Sequence, residues 1–206
     1  VPGDTLRWVR RCNNEDLVAM ASQNGMVILS PCKDIRALGR NTRGGIAMRL
    51  KEGDKMASMD IIPASLAKKL EEGSHADQTL GFTGLWLLFI SESGYGKRVP
   101  VSSFKESRLN RVGLKGYKFS SDDRMAAVFV VALSTGGGGG CDEQQVVLVS
   151  QSGTVNRIKV RDISIQSRFA RGVILMRLEH GGKIQSASLM TVSKAATTDS
   201  DGLEGA

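Results

Sequence analysis

The chain is poor in the residues that metal binding, nucleophilic catalysis or base stacking would use. Two histidines, His75 and His180, and three cysteines in 206 residues give a zinc site little to draw on. Cys12, Cys32 and Cys141 are odd in number and form no Cys-x-x-Cys pair, so they read as reduced thiols of an intracellular protein. Aromatic residues make up 5%, and Trp86, Phe89 and Phe129 sit in apolar runs that read as core, which removes the stacking platforms of a single-strand or RNA binder. No apolar run approaches the ~20 residues that span a bilayer as a helix. Asp60 and Asp122-Asp123 form no paired cluster for magnesium and read as turn residues and solvated charges. The glycine run Gly136–Gly140 lacks a following Gly-Lys-Ser or Gly-Lys-Thr and reads as a connector, not a phosphate cradle. No catalytic residue, no metal site and no cofactor bound by this chain are expected. A start at Val1 without a signal-like segment reads as a piece of a longer protein.

What the chain does have is an internal repeat. Three times a glycine is followed 19 residues later by a second and 5 residues after that by a basic residue: Gly25, Gly44 and Arg49; Gly94, Gly113 and Lys118; Gly153, Gly172 and Arg177. Each copy opens with an apolar run ending in serine and a turn. These are Leu17–Ser22 before Asn24-Gly25, Trp86–Ser91 before Ser93-Gly94, and Val146–Ser150 before Ser152-Gly153. Such runs stopped by Asn-Gly or Ser-Gly predict antiparallel hairpins. After the second glycine, Ile46–Leu50 and Ile174–Leu178 alternate and predict a third strand, with Ile46, Met48 and Leu50 on one face. Lys55–Ile62 and Arg124–Val131 predict a fourth. The organisation expected is therefore all-β: units at 1–63, 85–133 and 145–192, an insert at 64–84 with a helical turn near Lys68, a glycine-rich linker at 134–144, and a disordered tail at 193–206.

Charge follows the repeat. Windows 25–50, 94–119 and 153–178 hold 18 of the 28 Lys and Arg but only Asp34, Glu106 and Asp162 of the 21 acids, so about +15 sits in 78 residues of a chain whose net charge is +7. A recurring basic cluster predicts a continuous positive band, the footprint of a nucleic-acid binder, and the want of aromatics favours duplex DNA held by its phosphates. The candidate DNA-binding residues are Arg36, Arg40 and Arg43 in the first copy, Lys97, Arg98, Lys105, Arg108, Arg111 and Lys115 in the second, and Arg157, Lys159, Arg161, Arg168 and Arg171 in the third. Arg49, Lys118 and Arg177, inside expected strands, could equally lay their stems over a sheet. A protein-docking propeller is the rival reading, and would call for mixed charge and exposed apolar patches instead.

These residues also carry a resemblance. Gly39-Arg40-Asn41-Thr42-Arg43-Gly44-Gly45-Ile46-Ala47-Met48-Arg49-Leu50, Ser93–Arg98 around Gly94-Tyr95-Gly96-Lys97-Arg98, and Arg171–Arg177 resemble blades of the C-terminal domain of the DNA gyrase A subunit, in family order from about Asp16 to Ala187. Val155–Val160 looks most like the plant organellar forms. The resemblance implies a six-bladed β-pinwheel of which these are the last three blades. It also implies a basic rim that bends and wraps double-stranded DNA, and a parent enzyme, built as two A and two B subunits, that supercoils DNA negatively with ATP and Mg2+ bound elsewhere. It further implies a nucleoid-associated location in plastid or mitochondrion, with a bacterial cytoplasm as the alternative. The DNA-cleaving tyrosine of such enzymes follows an arginine in another domain, whereas Tyr95 and Tyr117 each follow a glycine. The chain departs from the family in lacking the Gln-Arg-Arg-Gly-Gly-Lys-Gly box of the first blade; Asn41–Gly45 is its nearest approach. The related topoisomerase IV A subunit, which does not wrap, shares most of this pattern.

Overall fold

The computed structural model describes residues 2–72, 82–134 and 143–192. Among these run β1 (Leu17–Ser22), β2 (Met26–Pro31), β3 (Met56–Ile62), β4 (Phe82–Ser91), β5 (Tyr95–Pro100), β6 (Leu114–Lys115), β7 (Met125–Ser134), β8 (Glu143–Ser150), β9 (Val155–Lys159), β10 (Val173–Ile174) and β11 (Ile184–Val192). One helix, α1 (Ala64–Glu72), occupies the start of the expected insert. His75, the glycine run, Cys141 and the expected tail lie outside the described residues.

The serine-turn-glycine signature makes three identical hairpins. Ser22, Ser91 and Ser150 each accept, on the side-chain oxygen, the backbone N–H four residues on, at 3.2, 3.2 and 3.1 Å. Gly25, Gly94 and Gly153 each donate back to that serine's carbonyl, with φ of +83°, +86° and +86°. Carboxylates serve the same turns: Asp123, expected as a turn residue, and Asp54, outside that expectation, each accept the N–H of the residue before the glycine, Ser93 and Asn24, both at 3.0 Å. Asp60 is likewise structural, accepting the Val130 N–H at 2.8 Å and so tying β3 to β7.

Four strands per unit were expected, but the count is reached differently. The sheets have the orders β3-β1-β2-β6, β10-β5-β4-β7 and β11-β8-β9. The short β6, which follows the second hairpin in sequence, completes the first sheet by pairing Lys115 with Met26, and β10 completes the second by pairing Ile174 with Tyr95. Each complete sheet thus takes its fourth strand from the next copy. The alternating-strand expectation for Ile46–Leu50 fails for that reason. Among the described residues no preceding sheet lies beside the segment, Met48 alone of it makes a bridge, to Arg111, and Ile46 and Leu50 are left 65% and 37% exposed. In the third copy the strand is confined to β10, where Ile174 is also exposed and Leu175 and Met176 are buried.

The sheets stack through two apolar layers. One, with Leu29, Ile62, Leu87, Phe89, Phe104 and Tyr117, lies between the first and second sheets; the other, with Trp86, Leu88, Val131, Leu148, Ile163 and Met176, lies between the second and third. Trp86 and Phe89 are buried, as expected for core.

The glycines mark the joints. A Cβ on Gly113 would overlap the Val27 carbonyl oxygen, and one on Gly172 would lie 2.6 Å from that of Gly96, because both glycines enter a neighbouring sheet backbone to backbone. Their counterpart in the first copy, Gly44, meets nothing within 4 Å, and neither does Gly153, the hairpin-turn glycine of the third copy. Gly113→Ala and Gly153→Ala impose the same left-handed strain, about 1–2 kcal/mol, at φ of +84° and +86°. Denaturant unfolding should therefore show Gly113→Ala to be the costlier by at least about 1 kcal/mol, since only there must a carbonyl move as well. Equal costs would show that the joint is not close-packed.

Candidate nucleic-acid interface

Each unit follows its second strand with a single 3₁₀ turn, at Cys32–Asp34, Val101–Ser103 and Val160–Asp162, and then an irregular basic loop. The loops follow β2, β5 and β9, which lie away from the outer strands β3, β7 and β11 of their sheets. The second loop is bonded to the first copy through Ser107 N–H to Leu29 O at 2.8 Å and Arg49 N–H to Arg111 O at 2.9 Å. The third is bonded to the second through Arg98 N–H to Ser164 O and Gln166 N–H to Arg98 O, both at 2.9 Å. The loops therefore form one unbroken edge across the three sheets.

Arg36, Arg40, Arg43, Lys105, Arg108, Arg111, Arg161 and Arg171 are exposed on these loops, with Lys115 exposed on β6. Arg168 is half-buried: it donates to the Lys115 carbonyl at 3.2 Å and lies over the rings of Phe104 and Phe169 at 5.9 and 5.0 Å. Arg171 covers the Tyr95 ring at 4.9 Å. On and beside β9, Arg157 is exposed and bonded to Gln145, while Lys159 and Arg161 share Glu143 at 3.3 and 3.1 Å. That carboxylate is held below its ordinary pKa by the Gln145 amide first and by the two cations. Arg49, Lys118 and Arg177 are all exposed.

Two of the expected DNA contacts must be withdrawn. Lys97 is 0% exposed, and its ammonium donates to the carbonyls of Ser167, Arg168 and Ala170 at 2.7, 2.9 and 2.8 Å, over the Tyr117 ring at 4.7 Å. Burial pushes its pKa down to about 8. Arg98 is also buried, donating to Ile163 O at 2.7 Å and Arg161 O at 3.2 Å above the Trp86 ring. Neither can reach a phosphate. The signal was in the repeat itself: aligned on the turn glycines, Lys97 and Arg98 occupy the places of Ile28 and Leu29, two core residues of the first copy.

Replacing Arg40 and Arg43 together by Glu should leave the thermal midpoint within about 2 °C of the original, because exposed charges without partners contribute little to stability. The same change should weaken duplex DNA binding for every sequence alike. A melting curve and one filter-binding series decide whether these side chains face solvent as the structure has them.

The model of the DNA gyrase C-terminal domain family, a β-propeller, matches residues 16–63, 85–132 and 144–189. The chain is 70% identical over 203 residues to the chloroplastic/mitochondrial DNA gyrase A subunit of Nicotiana benthamiana, covering 98% of this chain and 22% of that protein. It is 37% identical to the DNA gyrase A subunit of Synechocystis, over 94% and 23%. The chain thus spans about a fifth of the length of these curated relatives. Among solved structures, a DNA gyrase A C-terminal domain superposes with a TM-score of 0.59 at 27% identity, covering 84% of this chain and 50% of that one. The C-terminal domain of a topoisomerase IV superposes at 0.66 with 17% identity, covering 87% and 47%, which shows a shared fold.

Proposed function

We propose, from the premise that the chain belongs to the family of the C-terminal β-propeller domain of the DNA gyrase A subunit, that its basic edge binds and bends duplex DNA without regard to sequence. The observation that carries the reading is the recurrence of exposed arginine and lysine on the loop after the second strand of each of three bonded sheets, at Arg36, Arg40 and Arg43, then Lys105, Arg108 and Arg111, then Arg161 and Arg171. Such a surface neutralises phosphates in succession, releases counterions and offsets the cost of curving the duplex with contacts rather than with base readout. In its full-length protein the domain would serve a type IIA topoisomerase of two A and two B subunits that introduces negative supercoils, with ATP and Mg2+ held outside this chain. The names of its plant relatives favour plastid or mitochondrion as the place of work, and DNA binding would put the domain at the nucleoid there. The names also favour gyrase over topoisomerase IV.

If about five or six phosphates are neutralised, the slope of log K against log salt should be roughly −5, from about −0.9 per phosphate. Titration of a fluorescent duplex at several salt concentrations, on two unrelated sequences, tests this. A slope near zero, or a strong preference between the sequences, would overturn the reading.

A further inference from the structure

The buried pair Lys97-Arg98 has no counterpart at the other joint described. There, Ile28 and Leu29 occupy the equivalent places, and among the described residues the one side-chain bond from that strand to the corresponding loop runs from the Ser30 hydroxyl to Ser107 O at 2.8 Å. Between the second and third units, by contrast, five side-chain hydrogen bonds from Lys97 and Arg98 end on backbone carbonyls of one loop, at residues 161, 163, 167, 168 and 170. A sixth comes from the Tyr117 hydroxyl to Arg171 O. The loop carries three of the candidate phosphate contacts, Arg161, Arg168 and Arg171, yet includes no regular strand or helix beyond the 3₁₀ turn at its start.

An ammonium ion has three N–H donors and a guanidinium presents donors in a fixed fork, so each cation can fix several carbonyls at once where a neutral side chain would fix one. All three Lys97 donors are used, and aromatic faces lie beneath both cations, over Tyr117 at 4.7 Å and Trp86 at 4.7 Å. An apolar joint of the Ile28-Leu29 kind would exclude water but could not hold a loop by its carbonyls.

We propose that Lys97, Arg98 and Tyr117 are positioning residues for DNA binding: they touch no DNA, but hold the 161–171 loop so that Arg161, Arg168 and Arg171 face the duplex already ordered. The proposal rests on the DNA-binding reading above. A preordered loop spares the binding step the ordering of its rotamer-rich side chains, so releasing it weakens binding through the loop's own cations and through nothing else.

A double-mutant cycle in the full-length protein separates this from a general loss of stability. Lys97→Met should weaken binding of a linear duplex about tenfold. In a background already carrying Arg161→Gln, Arg168→Gln and Arg171→Gln, the same change should weaken binding less than about twofold, since the contacts it positions are gone. Tyr117→Phe, which removes one hydroxyl and leaves the ring under Lys97, should show the same dependence on background with a smaller effect, and decides the matter if Lys97→Met fails to fold. Equal losses in both backgrounds, or no loss in the parent background, would overturn the positioning role. Absence of salt-dependent duplex binding by the unmodified protein would overturn the DNA-binding reading instead.

Discussion

Replacing Phe89 by alanine is expected to destabilise the chain by about 3–5 kcal/mol, the range for a buried aromatic truncated to alanine. The ring is 0% exposed and sits in the apolar layer between the first and second sheets, its centroid 6.2 Å from those of Phe104 and Tyr117. Phe104 and Tyr117 belong to the stretch whose backbone crosses to the first sheet, so the cavity would open at a joint between copies, where collapse is hindered by strands held from both sides. At roughly 2–4 °C per kcal/mol for a chain of this size, the thermal midpoint should fall by about 6–20 °C. DNA binding, measured well below that midpoint, should change far less than it does for Arg40→Glu with Arg43→Glu. A loss of under 1 kcal/mol would mean that the layer is not the core that the packing describes.

The contrast between those variants shows what the sequence made legible. Hairpins were readable because Ser-x-x-Gly turns carry their own hydrogen-bond logic: a hydroxyl four residues before an N–H and a glycine free to take positive φ. The buried runs were readable from apolar content alone. The third strand of each copy was not, because Ile46–Leu50 alternates convincingly and yet alternation says nothing about which sheet accepts a strand. Acceptance depends on a neighbour, and among the described residues no strand lies beside Ile46. Lys97 and Arg98 misled for a related reason. Charge counting assigns every lysine and arginine to the surface, whereas β5 has paired strands on both sides and packed layers on both faces, so Lys97 and Arg98 have no solvent to reach. Only the alignment with Ile28 and Leu29 could have exposed the burial. The exposed loop cations, by contrast, were found because glycine-rich, strand-poor segments leave long polar side chains nowhere else to go.

The same strand exchange leads to the second large effect, which concerns association. The rule that a sheet is completed by a short strand from the next copy leaves two complementary ends. β9 is the outer strand of a three-stranded sheet and has no partner beyond it among the described residues, with Val155 61% exposed. Gly45-Ile46 stands where Leu114-Lys115 and Val173-Ile174 stand in the other copies, and no sheet among the described residues receives it. An unpaired edge and an unplaced strand of matching pattern invite each other. Within one chain they lie at opposite ends of the stack, so they can meet only between chains or through further units of a longer chain. Two chains related by a twofold axis would satisfy both ends and close six sheets into a ring, the kind of self-limiting contact that symmetry favours. The isolated 206-residue chain is therefore expected to self-associate at tens of micromolar, with a concentration-dependent melting point. The same chain extended by its upstream sequence should be monomeric and melt at a higher, concentration-independent temperature. Val155→Lys with Ile46→Lys should suppress association without lowering the monomer's stability, because both side chains are already exposed. Light scattering coupled to melting curves on the three proteins checks this. A 206-residue chain that is monomeric, cooperative and as stable as the extended one would show that its sheets close among themselves, and the ring of six would have to be abandoned.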